Sequence, residues 1–291
     1  MRLRWIVTLL LALAPSLPAA AASVRVAVVQ LSSARVGDYG TMLTEARSAK
    51  AAGAQLIVFP ETADMGWLNP QAFFDAAPVP GAVTDHFADI AKATGLWVVT
   101  GLAERGRQVA PQPATYEAYD AAVMIDPTGA IVLHHRQFNV VKNAFSSCPA
   151  VFGAQGCAYT PGPLSDTKVV QTPFGLVGMF VCDDAYTYDT ASLDALKPYH
   201  PTLVIVPWGI TAGSEAECGK DDFNATGYAA KASAYLQTYV VGANPTGERS
   251  YGRFLPSWYC GTSGFATPAG AVGGVLNGQD ELGFFDIPIA D

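Results

Sequence analysis

Two polar residues stand at the ends of apolar runs, where proteins of alternating strands and helices often place reacting groups. Cys182 ends the run 175–181, and Glu61 ends the run 56–60. A cysteine attacks a carbonyl carbon as its thiolate, and a glutamate partly desolvated at a sheet edge has a pKa high enough to take the thiol proton. The pair fits thiol catalysis, although a buried structural cysteine and a solvated turn glutamate fit the same residues.

Other common catalytic arrangements find little support in the chain. It contains no HExxH helix motif, no phosphate-binding GxxxxGK[ST] loop and no GxSxG nucleophile turn. The four histidines stand in unrelated contexts, at His86, His134, His135 and His200. We therefore expect neither a metal site nor serine-histidine catalysis, and no organic cofactor.

The cysteine count bears on the state of the candidate nucleophile. Five cysteines form at most two pairs, so an oxidised chain keeps one thiol or forms an intermolecular bridge. Cys148 and Cys157 flank a short loop that a disulfide can close, and Cys218 and Cys260 lie in Gly-rich, polar surroundings. Pairing in this way leaves Cys182 free, while other connectivities stay open.

The first 22 residues predict export. They contain two early arginines, an apolar stretch at 5–14 and a small-residue stretch at 18–22, in the order of a signal peptide. A membrane anchor is the alternative, but the apolar stretch has about ten residues and a spanning helix needs roughly 20. We predict a signal peptide at 1–22, a mature domain at 23–291, a secreted or periplasmic location, and no membrane attachment after cleavage. Such compartments are oxidising.

Composition and charge restrict the partners. The chain is 50% hydrophobic and carries 17 Lys+Arg against 25 Asp+Glu, a net charge of -8 without any basic block. This balance argues against a nucleic-acid partner and favours a small molecule.

The elements that must position the two residues alternate along the chain. Apolar runs predict strands, and alanine-rich stretches ending at glycines predict helices at 41–52 and 83–94. A third helix is expected at 225–238, with Asn224 as its N-terminal cap. Residues 117–135 fit a hairpin that turns at 126–129, and residues 142–166 form the longest irregular segment. The alternation indicates a single domain of the α/β class. The predicted strands are 24–31, 55–59, 96–102, 121–125, 131–134, 176–181, 203–206 and 239–243.

Motifs around these residues resemble those of the nitrilase superfamily of carbon-nitrogen hydrolases. The glutamate motif is Gly53–Glu61 and the cysteine motif is Val177–Asp184, with an opening strand at Val26–Gln30. Val241–Asn244 and Gly261–Gly270 are similar to the closing segments of the family. The cysteine turn, Cys182-Asp-Asp-Ala-Tyr-Thr-Tyr188-Asp189, looks most like that of the biotinidase and pantetheinase (vanin) branch.

The resemblance implies a four-layer α-β-β-α sandwich with a Glu-Lys-Cys triad. Glu61 would be the general base and Cys182 the nucleophile, attacking an amide or nitrile carbon to form a thioester that water hydrolyses. The lysine of such a triad holds positive charge beside the oxyanion and the carboxylate. It also implies a homodimer paired through a helical face.

The lysine is where this chain departs from the family. Gln137 occupies its ungapped position, so we predict Lys142 as the substitute, provided that the chain is irregular between the two, with Arg136 as a weaker alternative. The predicted substrate-contacting residues are Gln137, Asp183, Tyr186 and Trp208, and for the two aromatic residues core packing fits equally well.

Three functions follow from these observations. The leading hypothesis is an exported thiol amidohydrolase that acts on a small non-peptide amide. A nitrile hydrolase is the first alternative, because the same thioester chemistry starts from a nitrile. The second is a catalytically silent member that binds a ligand or partner, because Gln137 replaces the expected lysine.

Overall fold

Apolar strands form two six-stranded sheets in the computed structural model, which describes residues 23–252 and 255–289. The predicted signal peptide lies outside the described residues. The strands are β1 (Ser23–Gln30), β2 (Leu56–Val58), β3 (Trp97–Pro111), β4 (Ala114–Ile125), β5 (Ile131–Arg136), β6 (Val169–Thr172), β7 (Gly175–Met179), β8 (Leu203–Pro207), β9 (Thr211–Ala212), β10 (Tyr239–Ala243), β11 (Thr246–Arg249), β12 (Ser257–Cys260), β13 (Gly264–Ala266), β14 (Val272–Val275) and β15 (Glu281–Pro288). The helices are α1 (Tyr39–Ala51), α2 (Ala72–Asp75), α3 (Ala82–Thr94), α4 (Ala191–Leu196) and α5 (Ala225–Leu236).

The two large sheets have related strand orders. The first is β15-β1-β2-β3-β4-β5 and the second is β14-β13-β10-β8-β7-β6. In each sheet the inner strands pair in parallel: β2 lies between β1 and β3 in the first sheet, and β8 lies between β7 and β10 in the second. Parallel neighbours bring their C-terminal ends to one edge, and β2 and β7 are the strands that lead to Glu61 and Cys182. A small third sheet has the order β11-β12-β9.

Strand β1 shows why the layers stack as they do. Val26 and Val28 belong to the core shared with the second sheet, whereas Ala27 and Val29 pack with residues of α1 and α3. Because successive side chains of a strand point to opposite faces, β1 is apolar on both faces. Helices α4 and α5 contribute to the core of the second sheet from its other face. This arrangement confirms the predicted four-layer α-β-β-α sandwich.

The helix ends follow the predicted signals. Asn224 accepts a hydrogen bond from the Gly227 N–H at 2.9 Å and caps α5. Gly95 closes α3 in the left-handed region at φ 68°. The three long helices lie within a few residues of their predicted bounds, while the short helices α2 and α4 were not predicted.

Both predicted disulfides are present. Cys148 pairs with Cys157 and Cys218 with Cys260, with Cα atoms 5.6 and 4.9 Å apart. Cys182 is the one free cysteine, and it is buried. The first bridge closes a loop within the irregular segment that follows β5.

The β3–β4 hairpin extends beyond the sequence prediction. Strand β3 continues to Pro111, whereas the predicted strand stopped at Leu102. Its outer half, Glu104–Pro111, contains charged residues and is largely exposed or half-buried, so apolar periodicity ended before the strand did.

No helix within residues 23–252 and 255–289 has the length and hydrophobicity to cross a bilayer.

Candidate active site

Glu61 lies just beyond β2, in a space that two glycines keep open. Its backbone N–H donates to the Trp208 carbonyl at 3.2 Å, which ties the end of β2 to the segment after β8 in the other sheet. A Cβ atom on Gly101 would lie 2.5 Å from the Glu61 Cα, and one on Gly209 would lie 2.3 Å from Glu61 Oε2. Larger residues at positions 101 and 209 would displace the glutamate.

Cys182 begins a 3-10 turn directly after the extended residues that follow β7. Its φ is 38°, a conformation that a residue with a Cβ rarely adopts. Strain of this kind persists only where the surroundings hold it, and it concentrates at functional sites.

Asp184 provides much of that support. Its fully buried carboxylate accepts from the backbone N–H groups of Phe138 and Asn139 at 3.0 and 2.8 Å and from the Ser192 hydroxyl at 3.2 Å. His135 Nε2 lies 2.7 Å from the second oxygen. These bonds tie the cysteine turn to the segment that follows β5, where Gln137 is located.

The Cys182 thiol and the Glu61 carboxyl face each other. Burial raises the pKa of Glu61 to about 7, while the facing Asp120 carboxyl and Cys182 thiol oppose that rise. Burial also raises the pKa of Cys182 well above its ordinary value, the charge of Glu61 adds to this, and a hydrogen bond from the Gly209 backbone opposes it. Near neutral pH the thiol therefore keeps its proton, and Glu61 is poised to receive it.

A second buried carboxyl group, Asp120, faces Glu61. Asp120 lies on β4, and no N–H or hydroxyl group donates to any of the four carboxyl oxygens of the two residues. Burial raises the pKa of Asp120 well above its ordinary value, and the charge of Glu61 adds to it. The sequence analysis missed Asp120, because a single polar residue at the edge of the apolar run 121–125 does not reveal which side chain it faces.

A cavity of about 140 Å³ opens onto Cys182. It brings together Cys182 and three of the predicted substrate-contacting residues, Gln137, Asp183 and Tyr186. The other lining residues are Trp67, Val141, Tyr188, Gly209, Ile210, Thr211 and Asp222. No lysine or arginine of the described chain lines this cavity.

Trp208, the fourth predicted contact residue, does not line the cavity. It is 1% exposed, and a Cβ on Gly242 would lie 2.2 Å from its Nε1, so the indole packs against β10. Its ring stacks on Tyr186 with centroids 6.1 Å apart, and Tyr186 stacks on Tyr228 at 3.9 Å. The structure thus places Trp208 behind the aromatic wall of the cavity, in contact with Tyr186.

Lys142 is exposed and lines a neighbouring cavity of about 470 Å³, which shares Asp183 and Tyr188 with the first. The structure therefore does not bring its ammonium into the cavity of Cys182. The weaker alternative, Arg136, is engaged elsewhere: its Nε donates to Glu104 at 2.9 Å and its guanidinium lies over the Tyr119 ring. Gln137, not a lysine, occupies the cavity wall.

Arg249 is the one lysine or arginine within 23–252 and 255–289 that is fully buried. Its guanidinium lies 4.9 Å from the ring centroid of Trp67, a cavity residue, and donates to the Ser257 hydroxyl at 3.0 Å. Burial lowers the pKa of Arg249 from its ordinary value. It supports the Trp67 wall without lining the cavity.

Groups of three or more metal-ligating His, Cys, Asp or Glu residues are absent from the described part of the chain. The chemistry available to the cavity is that of a thiol, the facing carboxyl groups of Glu61 and Asp120, the lining carboxyl groups of Asp183 and Asp222, and neutral hydrogen-bonding groups.

Comparison with known proteins agrees with this geometry. The model of the carbon-nitrogen hydrolase family matches residues 25–291, and the chain belongs to that family. An amidase from Nesterenkonia sp. has the same fold, with a TM-score of 0.70 over 92% of this chain and 91% of that one at 19% identity.

Curated relatives match over shorter stretches. The chain is 28% identical to the nitrilase of Pyrococcus abyssi over 170 residues, 56% of this chain and 57% of that protein. It is 37% identical to the formamidase of Bacillus cereus (strain Q1) over 90 residues, 30% of this chain and 25% of that protein. The match thus spans little more than half of the nitrilase and a quarter of the formamidase.

Proposed function

We propose that this protein is an exported thiol amidohydrolase that cleaves the C–N bond of a small, non-peptide amide. The observation that carries the proposal is the Cys182 thiol facing the buried Glu61 carboxyl beside an open cavity. A glutamate-to-glutamine mutant of an amidase from Nesterenkonia sp. AN1, similar in fold, is described with the acetamide moiety of fluoroacetamide covalently added at its active-site cysteine. That description supports a nucleophilic role for Cys182.

The reaction begins with a proton transfer. Glu61 takes the Cys182 proton as the sulfur attacks the amide carbon, and the C=O bond opens to an oxyanion. When the C=O bond reforms, the C–N bond breaks and protonated Glu61 gives its proton to the departing nitrogen. Ammonia or an amine leaves, and the acyl group stays on sulfur as a thioester.

Hydrolysis of the thioester reverses the proton movements. Glu61, again unprotonated, takes a proton from water as the water oxygen attacks the thioester carbon. The C–S bond then breaks, the acid leaves, and the proton returns from Glu61 to the sulfur. A pKa of about 7 suits Glu61 to both directions of transfer near neutral pH.

The size of the cavity supports a small substrate. Its volume of about 140 Å³ lies below the roughly 300–1,000 Å³ of sites for drug-sized ligands. Asp183 and Tyr188 line both this cavity and the neighbouring one, and a larger leaving group would have to extend past them into the neighbouring cavity.

Two alternatives remain in the proposal. A nitrile hydrolase would use the same thiol and carboxyl groups, and the nitrilase of Pyrococcus abyssi is among the relatives. The cysteine turn favours an amide substrate, because it is similar to that of the vanin branch. We propose on the same ground that the protein belongs to that branch. A silent ligand-binding member is the third reading, motivated by Gln137 in place of a lysine.

Product release from a panel of small amides and nitriles decides among them. The wild-type protein should release ammonia or amine from amides, and Cys182→Ala should release none. Intact-protein mass spectrometry of the wild type mixed with substrate should detect the acyl group on the chain, and Glu61→Gln should carry none, because formation of the thioester needs this base. Activity on nitriles alone would favour the nitrilase, and a wild type as inactive as Cys182→Ala would leave only the silent member.

Lys142 provides a separate test of the predicted triad. If its ammonium serves the reaction, Lys142→Ala lowers kcat at least as strongly as it raises KM. An unchanged kcat would remove Lys142 from the triad and leave Glu61 and Cys182 in place.

Export and assembly complete the proposal. Cleavage of residues 1–22 predicts a mature N-terminus at Ser23, which N-terminal sequencing of protein recovered outside the cytoplasm would detect. Pairing into a homodimer, expected from the family resemblance, is measured by light scattering.

A further inference from the structure

The site has no ammonium where the family resemblance expects one. No described lysine or arginine lines the Cys182 cavity, and Lys142 is exposed beside it. The buried Arg249 donates to Ser257 and lies over the Trp67 and Tyr259 rings. Other groups must therefore stabilise the negative charge that the carboxylate and the oxyanion carry beside the reacting atoms.

Asp120 is the side-chain neighbour of Gln137. The Gln137 backbone N–H donates to the Asp120 carbonyl at 2.8 Å, which continues the β4–β5 register in which Ala121 lies opposite Arg136. Residues directly opposite each other in an antiparallel pair point to the same face. The residue that replaces the lysine and this buried acid thus lie side by side.

Asp120 and Glu61 are 0% and 1% exposed, and their carboxyl groups are in hydrogen-bonding contact. No N–H or hydroxyl group donates to any of their four oxygens. Two adjacent carboxylates without a donor or counter-ion cannot both stay ionised in a buried site. One proton held between them satisfies one oxygen of each residue.

We propose that Asp120 is a positioning residue that shares a single proton with Glu61, and that this proton replaces the positive charge of the missing lysine. The inference rests on the proposed function. Counting charges shows the equivalence: one ionised and one protonated carboxyl group beside Gln137 carry the same net charge, one negative, as two carboxylates beside a lysine.

The shared proton also keeps the charge constant during catalysis. Before attack, the negative charge is on Glu61. After the thiol proton has moved to Glu61, both carboxyl groups are neutral and the negative charge is on the substrate oxygen. One charge moves and none is added, so the buried site need not solvate a second anion.

Other titratable groups face the pair from every side. Asp64 has one oxygen accepting from the Ala103 N–H at 3.1 Å, and burial raises its pKa to about 7. Asp183, Asp184, Cys182 and the tyrosines Tyr159, Tyr186 and Tyr259 also interact electrostatically with the pair. The charge of Glu61 reaches Arg249 as well, although this is the smallest of the influences on that guanidinium. Acidic groups predominate, which strengthens the tendency of the pair to keep a proton.

Infrared spectroscopy detects the shared proton without any substrate. Because Asp64 is itself partly protonated near neutral pH, the comparison is made in Asp64→Asn, whose amide keeps the acceptor for the Ala103 N–H. At pH 7 this variant should show the C=O stretch of a protonated carboxylic acid, shifted in D₂O. Asp64→Asn/Asp120→Asn should lack it, and persistence of the whole band there would overturn the proposal.

Gln137→Lys is a second, independent variant. A new ammonium beside the pair should draw the proton off and abolish the same band in the Asp64→Asn background, whereas the neutral Gln137→Met should keep it. Retention of the band in Gln137→Lys, with the fold verified by circular dichroism, would contradict the shared proton.

The pH profile of kcat/KM reports the consequence for catalysis. Asp120→Asn gives Glu61 an amide donor and removes the competing acid, so the acid limb should move to lower pH by roughly one to three units. A purely structural Asp120 would lower activity without moving the limb. If the wild type is active but Asp64→Asn lacks the infrared band, the inference alone is refuted. If the wild type is inactive but Asp64→Asn shows the band, the proposed function alone is refuted.

Discussion

At the scale of single residues, Glu61 and Cys182 are both buried, and burial acts on both in the same direction. It raises the pKa of each, so the resting pair is a thiol facing a carboxyl group that is half ionised near pH 7. The enzyme thus needs no thiolate before substrate arrives, and a buried thiol is protected from oxidation better than an exposed thiolate.

The raised pKa of Glu61 predicts how stability depends on pH. Between its ordinary value of 4.5 and about 7, the folded protein binds more protons at this group than the unfolded chain does. The Glu61 contribution to the free energy of unfolding therefore falls as pH rises through that window, by up to about 3 kcal/mol. Thermal unfolding of the wild type and Glu61→Gln from pH 4 to 8 measures it. Parallel pH dependences in the two proteins would contradict it.

Gly209 predicts a sharp effect on activity. A Cβ at this position would lie 2.3 Å from Glu61 Oε2, so Gly209→Ala must push the carboxyl group away from the thiol. We expect kcat/KM to fall on the order of 10²-fold, the cost of misplacing a catalytic group by about 1 Å. Gly213→Ala is the matched control, since its Cβ would meet only the mobile end of Glu217. Equal losses in both variants would show that the effect is not local to Glu61.

At the scale of elements, the cysteine turn and the end of β5 are joined mainly through Asp184. Asp184→Asn exchanges one accepting oxygen for an amide, which cannot accept from the N–H groups and His135 as the carboxylate does. We expect a loss of about 1–3 kcal/mol in the free energy of unfolding, with lower kcat/KM. Urea denaturation measures the first. The exposed Asp189, which accepts from the Ala191 N–H, is the control position, and a loss as large in Asp189→Asn would contradict the role of Asp184.

The buried strands and the disulfides could be predicted from the sequence. Apolar runs located β1, β2, β7, β8 and β10, and with them the strand ends that carry Glu61 and Cys182, because those strands are buried on both faces. Cysteine spacing and its surroundings led to both disulfides.

What sequence reasoning missed depends on long-range geometry. Asp120 faces Glu61 only because β4 follows β3 in the sheet and β3 follows β2, and nothing local to position 120 records that order. The positions of Lys142 and Gln137 depend on where the chain leaves β5, which the hydrophobic pattern does not specify. Strands β11 to β14 have two to four residues per paired segment and little periodicity, so they were not predicted as strands.

At the scale of the whole molecule, acidic charge surrounds the candidate site. The chain has a net charge of -8, and Asp183 and Asp222 line the Cys182 cavity without a described lysine or arginine among their co-lining residues. Burial raises the pKa of Asp183 to about 6, so it is mostly ionised above pH 7. A negatively charged substrate would meet repulsion on approach and on binding.

This charge predicts a preference among substrates of equal length. Amides with a neutral or cationic end should have a higher kcat/KM than amides with a carboxylate, and the difference should shrink with added salt. Asp183→Asn should narrow this difference in kcat/KM. Asp286→Asn should leave it unchanged, because Asp286 is an exposed residue of β15 that pairs with Arg25. A preference for the carboxylate substrates would contradict this electrostatic reasoning.

The bridge between Cys218 and Cys260 anchors the segment that leads to Asp222, a lining residue of the same cavity. Cys218 stands four residues before Asp222, and its partner ends β12, so a covalent link ties the segment before Asp222 to the small third sheet. An oxidising compartment would therefore keep this segment anchored, while the buried Cys182 thiol stays reduced. Protein produced where such bridges fail to form would retain its reacting groups but hold its substrate more loosely.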